Sequence, residues 1–205
     1  MNRRGVRYDS KAWERMGDKF TNNYEQGMLD FRKNIIDAVI ERSFRIPPTL
    51  LEIACADGWF IEQLRAQGYM GIYTGIDITP SLIERAKKRM PYERFLVGDA
   101  TDMDYSDNLC DFVLCAGILM HLDAWSDAVR EACRVSSKYV MFSTYGTYSP
   151  EGTYRIDDPK NSFVNRYCTM EHLMGFVPAA FKLMEFKSFP RPTEYMFQFL
   201  YERKQ

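Results

Sequence analysis

Small residues and carboxylates recur at the points where an apolar run of this sequence gives way to a helical one. The first such point is Leu50-Leu51-Glu52-Ile53-Ala54-Cys55-Ala56-Asp57-Gly58-Trp59-Phe60. An apolar strand that ends in small residues and turns directly into a helix lets a ligand approach the main chain and offers it the free N–H groups of the helix start. The second point is Asp77, which ends the apolar run 71–76, and the third is Gly98-Asp99-Ala100, which follows the run 94–97. An acid at the carboxyl end of a second strand is placed to accept both hydroxyls of a ribose. An acid at the end of a third can accept from an adenine amino group. Singly, each stretch also reads as an ordinary tight turn or helix cap. Together, at three successive strand ends, they face one crevice and predict a nucleotide-type ligand.

Other groups with chemistry are few. His121 is the one residue of the crevice loops whose reference pKa lies near neutrality, which makes it the candidate general base. His172 sits at the start of a short helix, Thr169-Met170-Glu171-His172-Leu173, and is expected to be structural. Five cysteines, an odd number with no C-x-x-C pair, fit neither a disulfide framework nor a zinc site. With two histidines in the whole chain, no metal is expected. Aromatic residues with sparse polar neighbours gather in two places: Trp13, Phe20 and Tyr24 near the start, and Tyr145, Tyr148, Tyr154, Phe163, Asn165, Arg166 and Tyr167 after the fifth strand. An apolar pocket with a few polar handles suits a small molecule. Of these residues Tyr145, Arg166 and Tyr167 are the candidate substrate contacts, Arg166 because a guanidinium among aromatics pairs with a ligand carboxylate or phosphate.

The elements that must position these groups follow from the hydrophobic rhythm. Residues 10–44 have helical spacing that Pro47-Pro48 stops. Strand-like runs at 49–54, 71–76, 94–97, 112–116 and 139–143 then alternate with helices at 59–67, 81–88 and 124–133. This alternation predicts an α/β fold, a Rossmann-like doubly wound sheet, mostly parallel, with helices on both faces. Runs at 181–189 and 195–201, joined across Pro190-Arg191-Pro192, form an antiparallel pair at the C-terminus. The stretch 145–167, rich in Gly, Pro, Asp and Tyr, reads as a long functional connection without regular structure, a mobile lid over the ligand crevice. The whole, 1–205, is expected to be one domain, with a helical cap at 1–45 and the Rossmann-like core at 46–205.

At this point the sequence resembles the class I S-adenosylmethionine (SAM)-dependent methyltransferases. The family's acid-x-Gly-x-Gly-x-Gly loop appears here as Glu52-x-Ala54-x-Ala56-x-Gly58, Asp77 and Asp99-Ala100 match its second and third cofactor motifs, and the run from Cys110 to Leu122 matches its fourth strand and following loop. The resemblance covers about residues 49–145. It implies SAM as cofactor, held by Glu52 (on the methionine moiety), Ala54, Cys55, Ala56, Gly58, Asp77, Ile78, Asp99, Ala100, Cys115 and Ala116. Alanine in place of two glycines is tolerable in such a loop if both residues keep a negative φ. A nicotinamide dinucleotide is the alternative ligand, but its fingerprint wants glycine where Trp59 stands.

The resemblance also narrows the acceptor. Cys115-Ala116-Gly117-Ile118 is neither the [DN]-P-P-[YF] motif of base-amino methyltransferases nor the Pro-Cys of cytosine C5 enzymes, and no strand-end carboxylate pair is offered to Mg²⁺. Asp157-Asp158 reads as a solvated turn. The expectation is metal-independent methyl transfer to an oxygen or nitrogen of a small molecule, the alternative being a non-catalytic SAM- or nucleotide-binding domain in an assembly. The balance of 27 basic against 28 acidic residues argues against nucleic acid as a partner. The absence of a long apolar run argues against a membrane and for a cytoplasmic protein, with a homodimer as the candidate assembly.

Overall fold

The computed structural model describes residues 26–42, 48–149, 154–158, 163–190 and 195–205. Its elements are α1 (Gln26–Glu41), β1 (Thr49–Ile53), α2 (Trp59–Ala66), β2 (Ile72–Asp77), α3 (Pro80–Arg89), β3 (Arg94–Val97), β4 (Cys110–Cys115), a 3₁₀ turn (Leu119–His121), α4 (Trp125–Val135), β5 (Ser136–Gly146), β6 (Tyr154–Asp158), β7 (Phe163–Cys168), α5 (Met170–Met174), β8 (Phe181–Pro190) and β9 (Tyr195–Arg203). Only α1 of the expected helix 10–44 falls within the described residues; Trp13, Phe20 and Tyr24 lie outside them.

The first five strands are parallel in the order β3-β2-β1-β4-β5, and β9 returns antiparallel along β5 with β8 beyond it. The expected mostly parallel α/β sheet with an antiparallel C-terminal pair is therefore present. Its strand order reverses between β1 and β4, which opens a crevice at their carboxyl ends.

Both faces of this sheet are covered, which is why its central strands are continuously apolar rather than alternating. Leu51, Val113, Cys115, Val140 and Phe142 pack on one side with α4. Leu50, Phe112, Leu114 and Met141 pack on the other with α1, α2 and α3. In α4 the buried residues Trp125, Ala128, Val129, Ala132, Cys133 and Val135 form one stripe at helical spacing. Pro80 fits the first turn of α3, and Lys87, Lys88 and Arg89 complement its carboxyl end. Each fully buried Leu, Ile or Phe contributes about 1.5–3 kcal/mol.

The stretch 145–167 differs from expectation. Strand β5 runs on to Gly146, and β6 and β7 form an antiparallel hairpin, Tyr154 opposite Tyr167 and Asp158 opposite Phe163. β7 joins the main sheet in parallel, Tyr145 beside Tyr167 and Gly146 beside Cys168. The cause is a free edge. β4 ends its pairing at Cys115 with Phe142, while β9 occupies the other side of β5 along Tyr139–Gly146, so the β4-side edge beyond Phe142 is open and β7 takes it. Glycine at 146 is required by close approach, since a Cβ there would lie 2.2 Å from the Phe197 ring.

One buried polar pair sits inside the α1–α2–α3 face. The Tyr73 hydroxyl of β2 donates to Glu52 Oε2 of β1, and Glu52 is 7% exposed. Burial pushes the Glu52 carboxyl up to about 8, opposed by the Tyr73 hydrogen bond and reinforced by the Asp77 and Asp57 carboxylates. A carboxyl raised in the folded state favours folding while it is protonated, and that contribution is lost as pH rises from the ordinary carboxylate range through about 8. Glu52→Gln keeps an acceptor for Tyr73 without the ionisation. Denaturant titrations across this range should show the wild type losing stability with rising pH relative to the variant; parallel profiles would contradict the buried, protonated assignment.

Candidate active site

The carboxyl ends of β1, β2 and β3, with the 3₁₀ turn after β4, line a cleft that opens to solvent. Its polar groups are Asp77 and Asp99, its small residues Ala54, Gly98 and Ala100, and its apolar walls Ile53, Ile76, Ile78, Ile118 and Leu122. Five expected cofactor residues thus converge: Ala54, Asp77, Ile78, Asp99 and Ala100. The walls Ile53, Gly98, Ile118 and Leu122 were not among the expected contacts, although Ile118 and Leu122 belong to the matched run after β4.

Asp77 is 8% exposed and ties the cleft together. Its Oδ2 accepts the Ala56 N–H at 3.1 Å and its Oδ1 the Thr79 N–H at 2.9 Å. Burial raises its pKa, against these backbone hydrogen bonds, which favour the carboxylate. Each oxygen keeps a second lone pair for a ligand hydroxyl. Asp99 Oδ1 accepts from the Thr101 N–H at 2.8 Å and the Thr101 hydroxyl at 2.7 Å, which fixes its turn. Asp102 and Asp104, further along, are exposed.

Other expected cofactor residues sit outside the cleft lining. Glu52 is engaged by Tyr73. Cys55 and Cys115 turn their thiols into the two opposite core faces, 3% and 0% exposed, with burial raising both pKa values. Ala116 packs on the α1 face. Among the described residues the five cysteines are all free and buried, and no group of three or more His, Cys, Asp or Glu is arranged to hold a metal.

The expected acceptor residues gather at the hairpin. The His121 ring meets the Tyr145 ring edge-on at 5.9 Å, and Tyr145 stacks on Tyr167 at 5.4 Å. Arg166 takes a partner that spacing could not reveal: its Nη2 lies 3.6 Å from Asp123 Oδ1, in the loop after the 3₁₀ turn. The guanidinium expected to meet a ligand carboxylate is matched by one from the chain itself. Tyr148 instead packs edge-on against Tyr195 and Phe197. His172 packs at a tilt against both Trp125 and Phe176, and its backbone N–H donates to Thr169 Oγ1 at 3.2 Å, contacts that fit the expected structural part.

The loop after β1 corrects the sequence reading. Ala54 (φ 61) and Ala56 (φ 49) both adopt positive φ, as does Gly58 (φ 77). The left-handed region costs an alanine about 1–2 kcal/mol. Three hydrogen bonds impose it: Cys55 N–H to the Ile76 carbonyl at 3.0 Å, Ala56 N–H to Asp77, and Gly58 N–H to the Cys55 carbonyl at 3.0 Å. Glycine is essential only at 58, where a Cβ would come within 3.0 Å of Phe95 Cζ and 3.2 Å of Ala86 Cβ. Ala54→Gly and Ala56→Gly should therefore be neutral or stabilising by up to about 1 kcal/mol in denaturant titrations, whereas Ala128→Gly in α4 should lose about 1 kcal/mol or more. Equal losses at all three positions would contradict the strained loop.

Comparison with known proteins agrees with this geometry. The sequence profile of the family described as "Methyltransferase domain" matches residues 51–141. The demethylmenaquinone methyltransferase of Staphylococcus aureus (strain MRSA252) is 25% identical over 130 residues, 62% of this chain and 52% of that protein. The chain thus spans about half the length of the curated relatives it matches. The Burkholderia thailandensis 1,6-didemethyltoxoflavin-N1-methyltransferase, solved with 1,6-didemethyltoxoflavin and S-adenosylhomocysteine, superposes with a TM-score of 0.72 at 17% identity, covering 95% of this chain and 85% of that one. The N-methyltransferase NodS of Bradyrhizobium japonicum WM9, in complex with S-adenosylhomocysteine, gives 0.72 at 16% identity over 96% of this chain and 98% of that one. At these identities the two structures show a shared fold. The profile match over residues 51–141, the sheet order and the acid-tipped strand ends all agree with a methyltransferase domain.

Proposed function

We propose that this chain binds SAM in the cleft between β1, β2 and β3 and transfers its methyl group to an oxygen or nitrogen of a small molecule without a metal ion. The observation that carries the reading is the pair of strand-end carboxylates, Asp77 and Asp99, lining one cleft beside the Ala54–Gly58 loop. The donor set fits the cofactor. The remaining lone pairs of Asp77 suit the two ribose hydroxyls, Asp99 and Ala100 suit the adenine edge, and Ile78, Ile118 and Leu122 offer flat apolar walls to a purine. Small side chains at 54, 56 and 58 leave room for the methionine moiety.

The bound sulfonium supplies an electrophilic methyl group, so the protein has little covalent work to do. Its residues hold the acceptor in line and exclude water. The N-methyltransferase names of the two solved relatives favour a proton-bearing acceptor. His121, beside Tyr145, is the group available to take that proton. Tyr145 and Tyr167 form an aromatic wall, and the Arg166–Asp123 pair ties the hairpin to the loop after β4. An anionic acceptor would compete with Asp123 for the guanidinium. Among the described residues no helix is long and apolar enough to cross a membrane.

The test is calorimetric titration with S-adenosylhomocysteine. Asp77→Asn removes the charge and keeps one acceptor oxygen, its amide NH2 replacing the second acceptor of the Ala56 and Thr79 N–H pair, and should weaken binding at least about tenfold, the worth of a charge-assisted hydrogen bond. Asp102→Asn should change nothing. Equal effects at both positions would overturn the strand-end assignment, and methyl transfer that vanishes with EDTA and returns with Mg²⁺ would overturn the metal-free reading.

A further inference from the structure

Gln198 of β9 is 2% exposed and stands opposite Ser143 of β5 in the antiparallel ladder. Directly paired residues of antiparallel strands point to the same face. Here that is the face covered by α1, where Met141, Met196 and Leu200 flank Gln198. Beside it, Ser143 Oγ accepts at 2.8 Å the N–H of Gly117, which precedes Ile118 of the cleft wall in the loop after β4. Gln198 Nε2 donates to Asn34 Oδ1 of α1 at 2.7 Å and approaches Met141 Sδ at 3.7 Å. A thioether sulfur accepts and cannot donate, so the nitrogen end of the amide is the one turned toward Met141. The oxygen, Oε1, is buried with no hydrogen-bond partner. Buried carbonyl oxygens are almost always satisfied, so an orphaned one calls for a partner.

We infer that Gln198 Oε1 is the hydrogen-bond acceptor for the N–H or O–H of the group that is methylated, with Asn34 fixing the amide. The inference rests on the methyl-transfer reading and adds to it the residue that positions the proton-bearing nitrogen or oxygen. Gln198 orients this group, since an amide oxygen is too weak a base to remove the proton. A nucleophile held through its hydrogen turns its lone pair elsewhere, and where that hydrogen is the only one on the atom, as in a hydroxyl or a ring N–H, the methylated product has lost the donor, so the same contact favours substrate over product.

Matched probes test this without knowledge of the natural acceptor. Phenol and imidazole carry the donor; anisole and 1-methylimidazole are their methylated counterparts. Titrated into wild-type protein saturated with S-adenosylhomocysteine, the donor probes should bind about tenfold more tightly than the methylated ones, the effect of leaving one buried acceptor unpaired. Gln198→Met should abolish the preference while S-adenosylhomocysteine affinity and Tm stay unchanged or rise. A preference that survives in Gln198→Met, or no preference in the wild type, overturns the assignment. A variant that melts well below the wild type also overturns it, showing Gln198 to be a structural tie to α1. Failure of the wild type to bind S-adenosylhomocysteine refutes the cofactor reading instead.

Discussion

The Asp77 carboxylate accepts one N–H from the loop after β1 and one from the start of α3, and the geometry of the whole cleft depends on that double contact. Without it, the Cys55 N–H to Ile76 carbonyl bond would be the remaining tie from β2 to the loop, and Ala56 itself would lose the acceptor that holds it at positive φ. The same burial that makes the carboxylate an effective anchor raises its pKa. Its charge is therefore worth most to a partner that brings hydrogen-bond donors. A sugar with two adjacent hydroxyls is such a partner, and the lone pairs not used by the backbone are the ones left for it.

A second constraint acts on the acceptor side. Because β4 stops short of β5, the edge of β5 beyond Phe142 is left without a ladder partner there, and unpaired strand edges are resolved by adding a strand. β7 does so, and in the process brings Tyr167 onto Tyr145 and Arg166 toward Asp123. The element beside the loop after β4 is thus a hairpin fixed by backbone pairing and carrying one stack and one ion pair, where the composition predicts an irregular connection.

The central sheet and the cleft acids were legible because their signals are local. A strand-end carboxylate such as Asp77 or Asp99 follows directly on an apolar run, and the helical stripes of α3 and α4 can be read from spacing alone. The positive φ of Ala54 and Ala56 was not legible, since alanine does not announce it; it arises from hydrogen bonds to β2, twenty-one residues away in the chain. Strands β6 and β7 were hidden by the Gly and Pro that punctuate them, and their pairing depends on an edge created elsewhere. Arg166–Asp123 and Gln198–Asn34 join residues whose proximity follows from strand register, which composition cannot supply.

The central claim is that the cleft between β1, β2 and β3 is a SAM site and not a site for a nicotinamide dinucleotide. Both ligands carry an adenosine that Asp77 and Asp99 could meet, so the distinction lies in the turn at Gly58-Trp59 and the space beside Ala54 and Ala56. Titration of the wild-type protein with S-adenosylhomocysteine and with NAD in parallel addresses it directly. The account predicts saturable one-to-one binding of S-adenosylhomocysteine and no measurable heat with NAD; saturable NAD binding with no response to S-adenosylhomocysteine would contradict it.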